Sequence, residues 1–319
     1  MYSKIRPLNL EDMMKAKNDE ETPYVPMTSR VRDKPRFDTV KITIPMLTRR
    51  SFSYKHLTIG VTQVSKNIIK DKEESCGTSA LPLLQKSPNL AYFTQLYIQR
   101  PKEILALSKL VKELPMQIDY LSKTLFLPRI KGYEGKKTLV LDLDETLTHS
   151  VKSPNQSHVR INITEDSVVN INIRPYAQDL LKVASQDFEI VIFTASQYKY
   201  ANAILDHLDP MKKYIHYRLY RENCYEFNGH FIKDLRILGN RDMKDVVLVD
   251  NSLVSFALQV DNGIPISTWT MDLKDTQLRL LMEYLRLIKT ARDVRQVNRN
   301  VFGLSKLVKE SLSENLKLT

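Results

Sequence analysis

Two aspartates, Asp142 and Asp144, stand one residue apart where an apolar run, Leu139 to Leu141, stops. The surrounding stretch, Thr138 to Ser150, reads Thr-Leu-Val-Leu-Asp-Leu-Asp-Glu-Thr-Leu-Thr-His-Ser. Short apolar runs that end at a turn are the pattern of a parallel strand covered on both faces. Open α/β sheets carry their chemistry at the carboxyl ends of such strands. In extended backbone the two carboxylates share one side, with Leu143 opposite. Held that close they repel, and one takes up a proton unless a cation compensates. A divalent metal at a strand tip is therefore the first expectation.

Other strand tips carry groups that complete such a site. Phe188-Glu-Ile-Val-Ile-Phe reads as a second buried strand and ends on Thr194 and Ser196. Val246-Val-Leu-Val reads as a third and ends on Asp250-Asn251-Ser252, with Lys233-Asp234 between the two. Parallel strands bring their carboxyl ends together, so these groups should meet in one crevice. As chemistry the set is coherent. One carboxylate can attack phosphorus while a second shuttles a proton to and from the leaving oxygen. A hydroxyl and a lysine can hold the equatorial phosphate oxygens. An Asp/Asn pair with a backbone carbonyl suits Mg²⁺, which takes oxygen ligands and keeps several waters.

Several elements must position these residues. Ile104, Leu107, Leu110, Val111 and Leu114 recur at helical spacing after Pro101, which predicts a helical lead-in over 101–135. Val159-Arg-Ile-Asn-Ile and Val168-Val-Asn-Ile-Asn-Ile alternate around Glu165-Asp166-Ser167, which predicts a hairpin. Helices are expected from Pro175 through Val183, over Ala201 to Leu208, and over Leu278 to Ile288. Ile264-Pro-Ile-Ser-Thr-Trp reads as a fourth strand. Residues 211–232, dense in Tyr and His, break the α/β alternation and are expected to form an inserted β element. Residues 296–319 are left as a C-terminal tail.

Composition bounds the class. With 42% hydrophobic and 27% charged residues the chain is globular on average. No window offers the roughly 18 to 20 apolar residues that a membrane span needs. The N-terminus lacks an apolar h-region, and Glu11, Asp12, Asp19, Glu20 and Glu21 argue against a mitochondrial presequence. Cys76 and Cys224 match no zinc spacing and read as reduced thiols of a nuclear or cytoplasmic protein. The net charge of +11 is uneven. Residues 1–135 hold 23 Lys and Arg against 14 Asp and Glu, and residues 136–319 hold 25 against 23. The positives are scattered, so a solvated extension is the plainer reading and nucleic-acid binding is not indicated. Within residues 1–100, the first 35 read as disordered, Val40-Lys-Ile-Thr-Ile as a short strand, and 65–89 as linker.

Taken in order, these motifs resemble the haloacid dehalogenase (HAD) superfamily, and within it the small phosphatases of the RNA polymerase II C-terminal domain. The resemblance covers roughly residues 120–295. Asp142-Leu-Asp-Glu-Thr-Leu-Thr-His-Ser is similar to the signature loop and Phe193-Thr-Ala-Ser to the second motif. Lys233-Asp-Leu is similar to the third, and Val249-Asp-Asn-Ser to the fourth. Arg174-Pro, Tyr200-Ala and Ser267-Thr-Trp fit the intervening pattern. The resemblance implies an α/β fold, a HAD-like Rossmannoid parallel sheet flanked by helices, over residues 136–295, with a small β insert between the second and third motifs.

It also implies roles. Asp142 is expected as the nucleophile and Asp144 as general acid, then base. Thr194, with Ser196, is expected to bind phosphate, and Lys233 to balance its charge. Mg²⁺ is expected on the Asp142 carboxylate, the Asp144 carbonyl and Asn251, with Asp250 in support. Arg221 matches a family arginine near the substrate phosphate. Asn228-Gly229 replaces a basic residue before the insert's glycine, and the Lys233-to-Asp250 spacing is one residue longer, so peptide preference stays open.

Each residue also has a plainer reading. An isolated Asp-x-Asp is more often a strand-end turn, Thr194 a helix cap, Lys233 a surface lysine, and Arg221 a structural partner of a carboxylate. The functional expectation is a Mg²⁺-dependent protein serine/threonine phosphatase acting on a phosphoprotein or phosphopeptide. The alternative is a non-catalytic module that holds a phosphopeptide in the same groove. A small-metabolite phosphatase is disfavoured, since no large cap is visible.

Overall fold

The computed structural model describes Phe93 and residues 100–164 and 167–315. The expected disorder of residues 1–35, the strand at Val40 to Ile44, the linker at 65–89 and Cys76 all lie outside the described residues.

The chain enters through α1 (Pro101–Glu113), where Pro101 occupies the first turn and Ile104, Leu107 and Leu110 are buried along one face. β1 (Lys137–Leu141) follows and is buried at every position. β2 (Thr148–Val151), β3 (Val159–Asn162) and β4 (Val168–Ile173) then form a three-stranded antiparallel sheet in the order β2-β4-β3. The expected hairpin is its β3–β4 half. Next come α2 (Ala177–Ala184), β5 (Phe188–Phe193) and α3 (Tyr198–Leu208). α2 starts after Tyr176, whose φ of 68° is left-handed, rather than at Pro175.

The 211–232 stretch is divided differently from the expectation. β6 (Tyr217–Leu219) is not an insert but the edge strand of the main sheet, parallel to β5. Only the hairpin of β7 (Tyr225–Phe227) and β8 (His230–Ile232) projects, and it turns at Asn228 and Gly229. Both turn residues have positive φ, 49° and 76°, which is why an Asn-Gly pair stands there. β9 (Val246–Asp250) and a short β10 (Gly263–Pro265) finish the parallel sheet, ordered β10-β9-β1-β5-β6. The expected fourth strand is thus cut to three residues.

Register decides where the chemistry falls. Leu141 pairs with Ile192 on one side and with Val249 on the other. The next residues along these strands are Phe193 and Thr194, Asp142, and Asp250, so three tips end level. The Asp142 N–H donates to the Val249 carbonyl at 3.0 Å, carrying the ladder one step into the signature loop. At the opposite pole Glu189, buried on β5, accepts both arms of the Arg241 fork at 2.6 and 2.7 Å and the Thr138 hydroxyl at 3.0 Å.

After α4 (Gln277–Ile288) the chain continues as α5 (Val294–Val301) and α6 (Leu304–Asn315), not as a tail. The reason is burial: Phe302, Leu304 and Val308 join the same core as Leu107 and Leu110. The Tyr284 hydroxyl of α4 donates to Asn298 of α5 at 2.7 Å, and the Asn298 amide reaches the Gly263 carbonyl of β10 at 3.3 Å. α6 then packs against α1. None of the described helices is long and apolar enough to cross a membrane.

β10 runs so close to the turn at Leu253–Phe256 that a Cβ on Gly263 would lie 2.6 to 2.8 Å from the Phe256 ring. Gly263→Ala should therefore cost about 1–3 kcal/mol by overpacking. Urea unfolding checks this, and an unchanged midpoint would refute the close approach.

Candidate active site

Lys233 lies at the centre. It follows β8, and its main-chain N–H donates to the Ser255 carbonyl at 3.2 Å, which carries its side chain inward. Its ammonium is only 2% exposed and donates to Asp142 Oδ1 and to Asp250 Oδ2, each at 2.5 Å. Burial alone would lower its pKa, but Asp142 and Asp250 outweigh burial and the net direction is up. The lysine is a fixed cation. Asp250 holds it and, through Oδ1, accepts the Ser252 N–H at 2.8 Å, which sets the turn that follows β9.

Asp144 sits across from Asp142 beneath three hydroxyls. Ser196 donates to Oδ2 at 2.7 Å, Thr194 donates to the same oxygen at 3.3 Å, and Tyr200 donates to Oδ1 at 2.8 Å. Burial, then the Asp142 charge, pushes the Asp144 carboxyl up while the three hydroxyls oppose. Thr194 is held in place because its Oγ accepts the Ser196 N–H at 3.0 Å and its own N–H reaches the Leu219 carbonyl. It does not cap α3, whose N-cap is Gln197.

The second Asp142 oxygen accepts the Thr146 hydroxyl at 2.8 Å, and that hydroxyl is 3.4 Å from Asn251 Oδ1. Asp142 and Asn251 therefore present oxygens to the same small space. The Asn251 amide nitrogen donates to Thr268 Oγ1 at 3.2 Å, which assigns the flip that turns Oδ1 toward Asp142. Arg174, 1% exposed, braces the loop from behind. It donates to the Thr146 and Ser267 carbonyls at 3.1 and 3.0 Å and is clamped by Asp275 at 2.9 Å through two nitrogens.

Seven of the residues named from sequence thus converge: Asp142, Asp144, Thr194, Ser196, Lys233, Asp250 and Asn251. Arg221 is adjacent but tied down, with Nε donating to the Ala195 carbonyl at 2.6 Å and its guanidinium 5.0 Å from the Phe231 ring. Thr146 and the hydroxyl role of Tyr200 were not foreseen. Thr146 lies within the signature loop, so proximity to Asp142 was its only signal. Tyr200 lies on the first turn of α3, one helix start away from Thr194. Trp269 is buried and its indole donates to the Asp272 carbonyl at 2.8 Å, in keeping with a core role. His149 contacts Glu145 at 3.2 Å and none of the converging residues.

Among the described residues no three His, Cys, Asp or Glu side chains form a metal cage. The donors that converge are of another kind: a carboxylate oxygen of Asp142 and the Asn251 amide oxygen, both beside the Thr146 hydroxyl. Lys233 is one cation against three carboxylates. Burial pushes the Asp250 carboxyl up while Lys233 opposes. The surplus shows in Glu145, pushed up to about 7 by burial and then by Asp144, Asp142 and Asp250. Hard oxygen donors with excess negative charge fit a divalent cation such as Mg²⁺.

Comparison with known proteins gives a consistent result. A family model described as NLI interacting factor-like phosphatase matches residues 137–295. CTD small phosphatase-like protein 2 of Dictyostelium discoideum is 44% identical over 190 residues, covering 58% of this chain and 33% of that protein. CTD small phosphatase-like protein 3 of Caenorhabditis elegans is 41% identical over 197 residues, covering 60% of this chain and 68% of that one. The human carboxy-terminal domain RNA polymerase II polypeptide A small phosphatase 1 is 36% identical over 178 residues, 54% of this chain and 67% of that protein. The chain therefore spans about a third of the Dictyostelium protein and about two thirds of the other two.

One group beside the site is chemically quiet. Burial pushes the Cys224 thiol up to about 12, and Sγ lies 3.8 Å from the Thr194 carbonyl. At pH 8 only about one thiol in ten thousand is then thiolate. In a Cys76→Ser chain, Ellman's reagent should leave Cys224 untouched until the protein is unfolded. Rapid labelling of the folded chain would contradict this burial.

Proposed function

The chain belongs to the NLI interacting factor-like phosphatase family, and from that premise we propose that it is a Mg²⁺-dependent phosphoprotein phosphatase working through an aspartyl-phosphate on Asp142. The observation that carries this reading is the bridge of Lys233 between Asp142 and Asp250 at 2.5 Å each, with Asp144 poised opposite under three hydroxyls. Two neighbouring carboxylates in such different surroundings are suited to different tasks.

Asp142 is oriented by Lys233 on one oxygen and Thr146 on the other, and it keeps lone pairs for attack. Its carboxylate forms a bond to phosphorus while the bond to the seryl or threonyl oxygen breaks. Asp144, held toward its protonated form by burial, delivers the proton to that leaving oxygen. In the second half Asp144 takes a proton from a water that attacks the same phosphorus, and the Asp142 carboxylate leaves. Lys233 balances the phosphoryl charge throughout, and Thr194 and Ser196 offer hydroxyls to its oxygens. Arg221, anchored on Ala195 at the same strand tip, is assigned to the substrate side.

Asp142, the Asp144 carbonyl and Asn251 would hold Mg²⁺, with Asp250 in support through Lys233 and the Ser252 turn. When bound, the ion supplies charge neutralisation at the phosphate oxygens. The substrate is a protein phosphorylated on serine or threonine. The tail of RNA polymerase II, named for the human relative, is one candidate and would go with a nuclear place of action. Another phosphoprotein would leave a cytoplasmic one open.

Hydrolysis of p-nitrophenyl phosphate tests the scheme. The full chain should be active with Mg²⁺, inactive after EDTA, and restored by added Mg²⁺. Asp142→Asn should abolish turnover, and Asp144→Asn should lower kcat by about 10²–10⁴. Tyr200→Phe should cost roughly tenfold, the value of one hydrogen bond to a carboxylate. Activity surviving in Asp142→Asn would sink the nucleophile. A wild type inert on both aryl phosphate and phosphopeptides, yet binding the latter, would transfer the assignment to a phosphopeptide-binding module.

A further inference from the structure

Arg100 stands immediately before α1, outside residues 137–295 that the family model matches. Its side chain nevertheless reaches the site. One terminal nitrogen donates to the Asn251 carbonyl at 3.3 Å and to Thr268 Oγ1 at 3.2 Å, and the other donates to the Ile266 carbonyl at 3.4 Å. Nε pairs with Glu103 at 2.6 Å, one turn along α1, which sets the plane of the fork. The three acceptors belong to the loops leaving β9 and β10, so a single guanidinium ties the two tips together.

From this geometry we infer that Arg100 is a positioning residue for the Asn251 side of the metal site. The inference rests on the reading of Asn251 as an oxygen donor to Mg²⁺. Thr268 Oγ1 accepts from both Arg100 and the Asn251 amide nitrogen, and that second bond turns Asn251 Oδ1 toward Asp142. Arg100 also fixes the Asn251 main chain directly. Loss of the fork frees the Thr268 hydroxyl to rotate and the carbonyl of Asn251 to drift, and the amide then loses its single orientation. Outer partners of this kind tune metal sites by aiming the ligands.

A purely structural role explains less. The fork does not fill the core: it borders an open cavity of about 240 Å³, lined also by Glu103, Ala106, Leu253 and Val254. Removing it opens no buried void, so α1 stays anchored by Ile104, Leu107 and Leu110. The lead-in helix is thereby more than a lid on the core. It delivers one cation to the strand tips and makes ligand geometry depend on residues outside the matched domain.

Isothermal titration of the full-length chain with MgCl₂, without substrate, tests the inference. Arg100→Ala should weaken Mg²⁺ binding about tenfold, the lower end of what loss of an outer partner does. Its thermal midpoint should move by less than about 2 °C, as expected when no core contact is lost. Arg100→Lys, which keeps the charge but not the fork, should recover part of the affinity. Asn251→Ala is the control for the donor reading and should weaken binding at least as much. If Asn251→Ala binds less well but Arg100→Ala binds like wild type, the positioning role is overturned while the donor reading stands. If Asn251→Ala binds like wild type, the donor reading fails and takes the role of Arg100 with it. If Arg100→Ala loses affinity and thermal stability together, and Arg100→Lys restores only the stability, Arg100 is a structural anchor and the inference is wrong.

Discussion

A lysine buried between two carboxylates is the constraint on which the rest of this structure depends. Lys233 is held at 2.5 Å from both Asp142 and Asp250, and none of the three is more than slightly exposed. Removing one member of such a buried group leaves an uncompensated charge, at a cost of about 3–5 kcal/mol. The strands that carry them must therefore keep their register, because a shift of one residue would turn the carboxylates to the other face of the sheet. The fold and the site are coupled through the same three charges.

The parallel sheet delivers that register, and side chains behind it hold the loops that leave it. Arg174 does for the signature loop what Asp250 does for the turn after β9: each binds main-chain groups of a segment that has left the ladder. Both act from buried positions, where a charge-assisted hydrogen bond is strongest and its loss most costly. At the far pole Glu189 and Arg241 form a second buried pair, which holds the amino ends of β1 and β5 while their carboxyl ends carry the converging side chains.

Around this core the chain adds a shell that the family model does not cover. α1, α5 and α6 share apolar contacts with the strands, and Asn298 reaches from α5 to the β10 backbone. From the same lead-in segment, Lys123 donates to the Glu222 and Cys224 carbonyls at 3.0 and 2.6 Å, and Glu113 accepts the Asn228 amide at 3.0 Å. The hairpin turn at Asn228 is thus engaged by the lead-in helix. Segments remote in sequence brace both the Asn251 side and the Arg221 side of the site.

The sequence by itself determined the three central strands, β1, β5 and β9, and the chemical types at their tips. Short apolar runs that stop on Asp or Thr are read locally, and the period of each element is a local property. The ends of those runs marked Asp142, Asp144, Thr194, Ser196, Asp250 and Asn251, whereas Lys233 was marked only by its place in the order of motifs. Only the tertiary structure decided the rest. β6 is short, polar on one side and irregular in pattern, so its place at the sheet edge follows from pairing with β5 and not from its own residues. The helices at 294–315 are amphipathic but polar on average, and their partners lie on α1 and β10, far away in the chain. The same holds for Tyr200 on Asp144, Thr146 between Asp142 and Asn251, and Arg100 on Thr268. A tyrosine, a threonine and an arginine have many structural uses, and which one they serve is set by partners that only folding brings within hydrogen-bond distance.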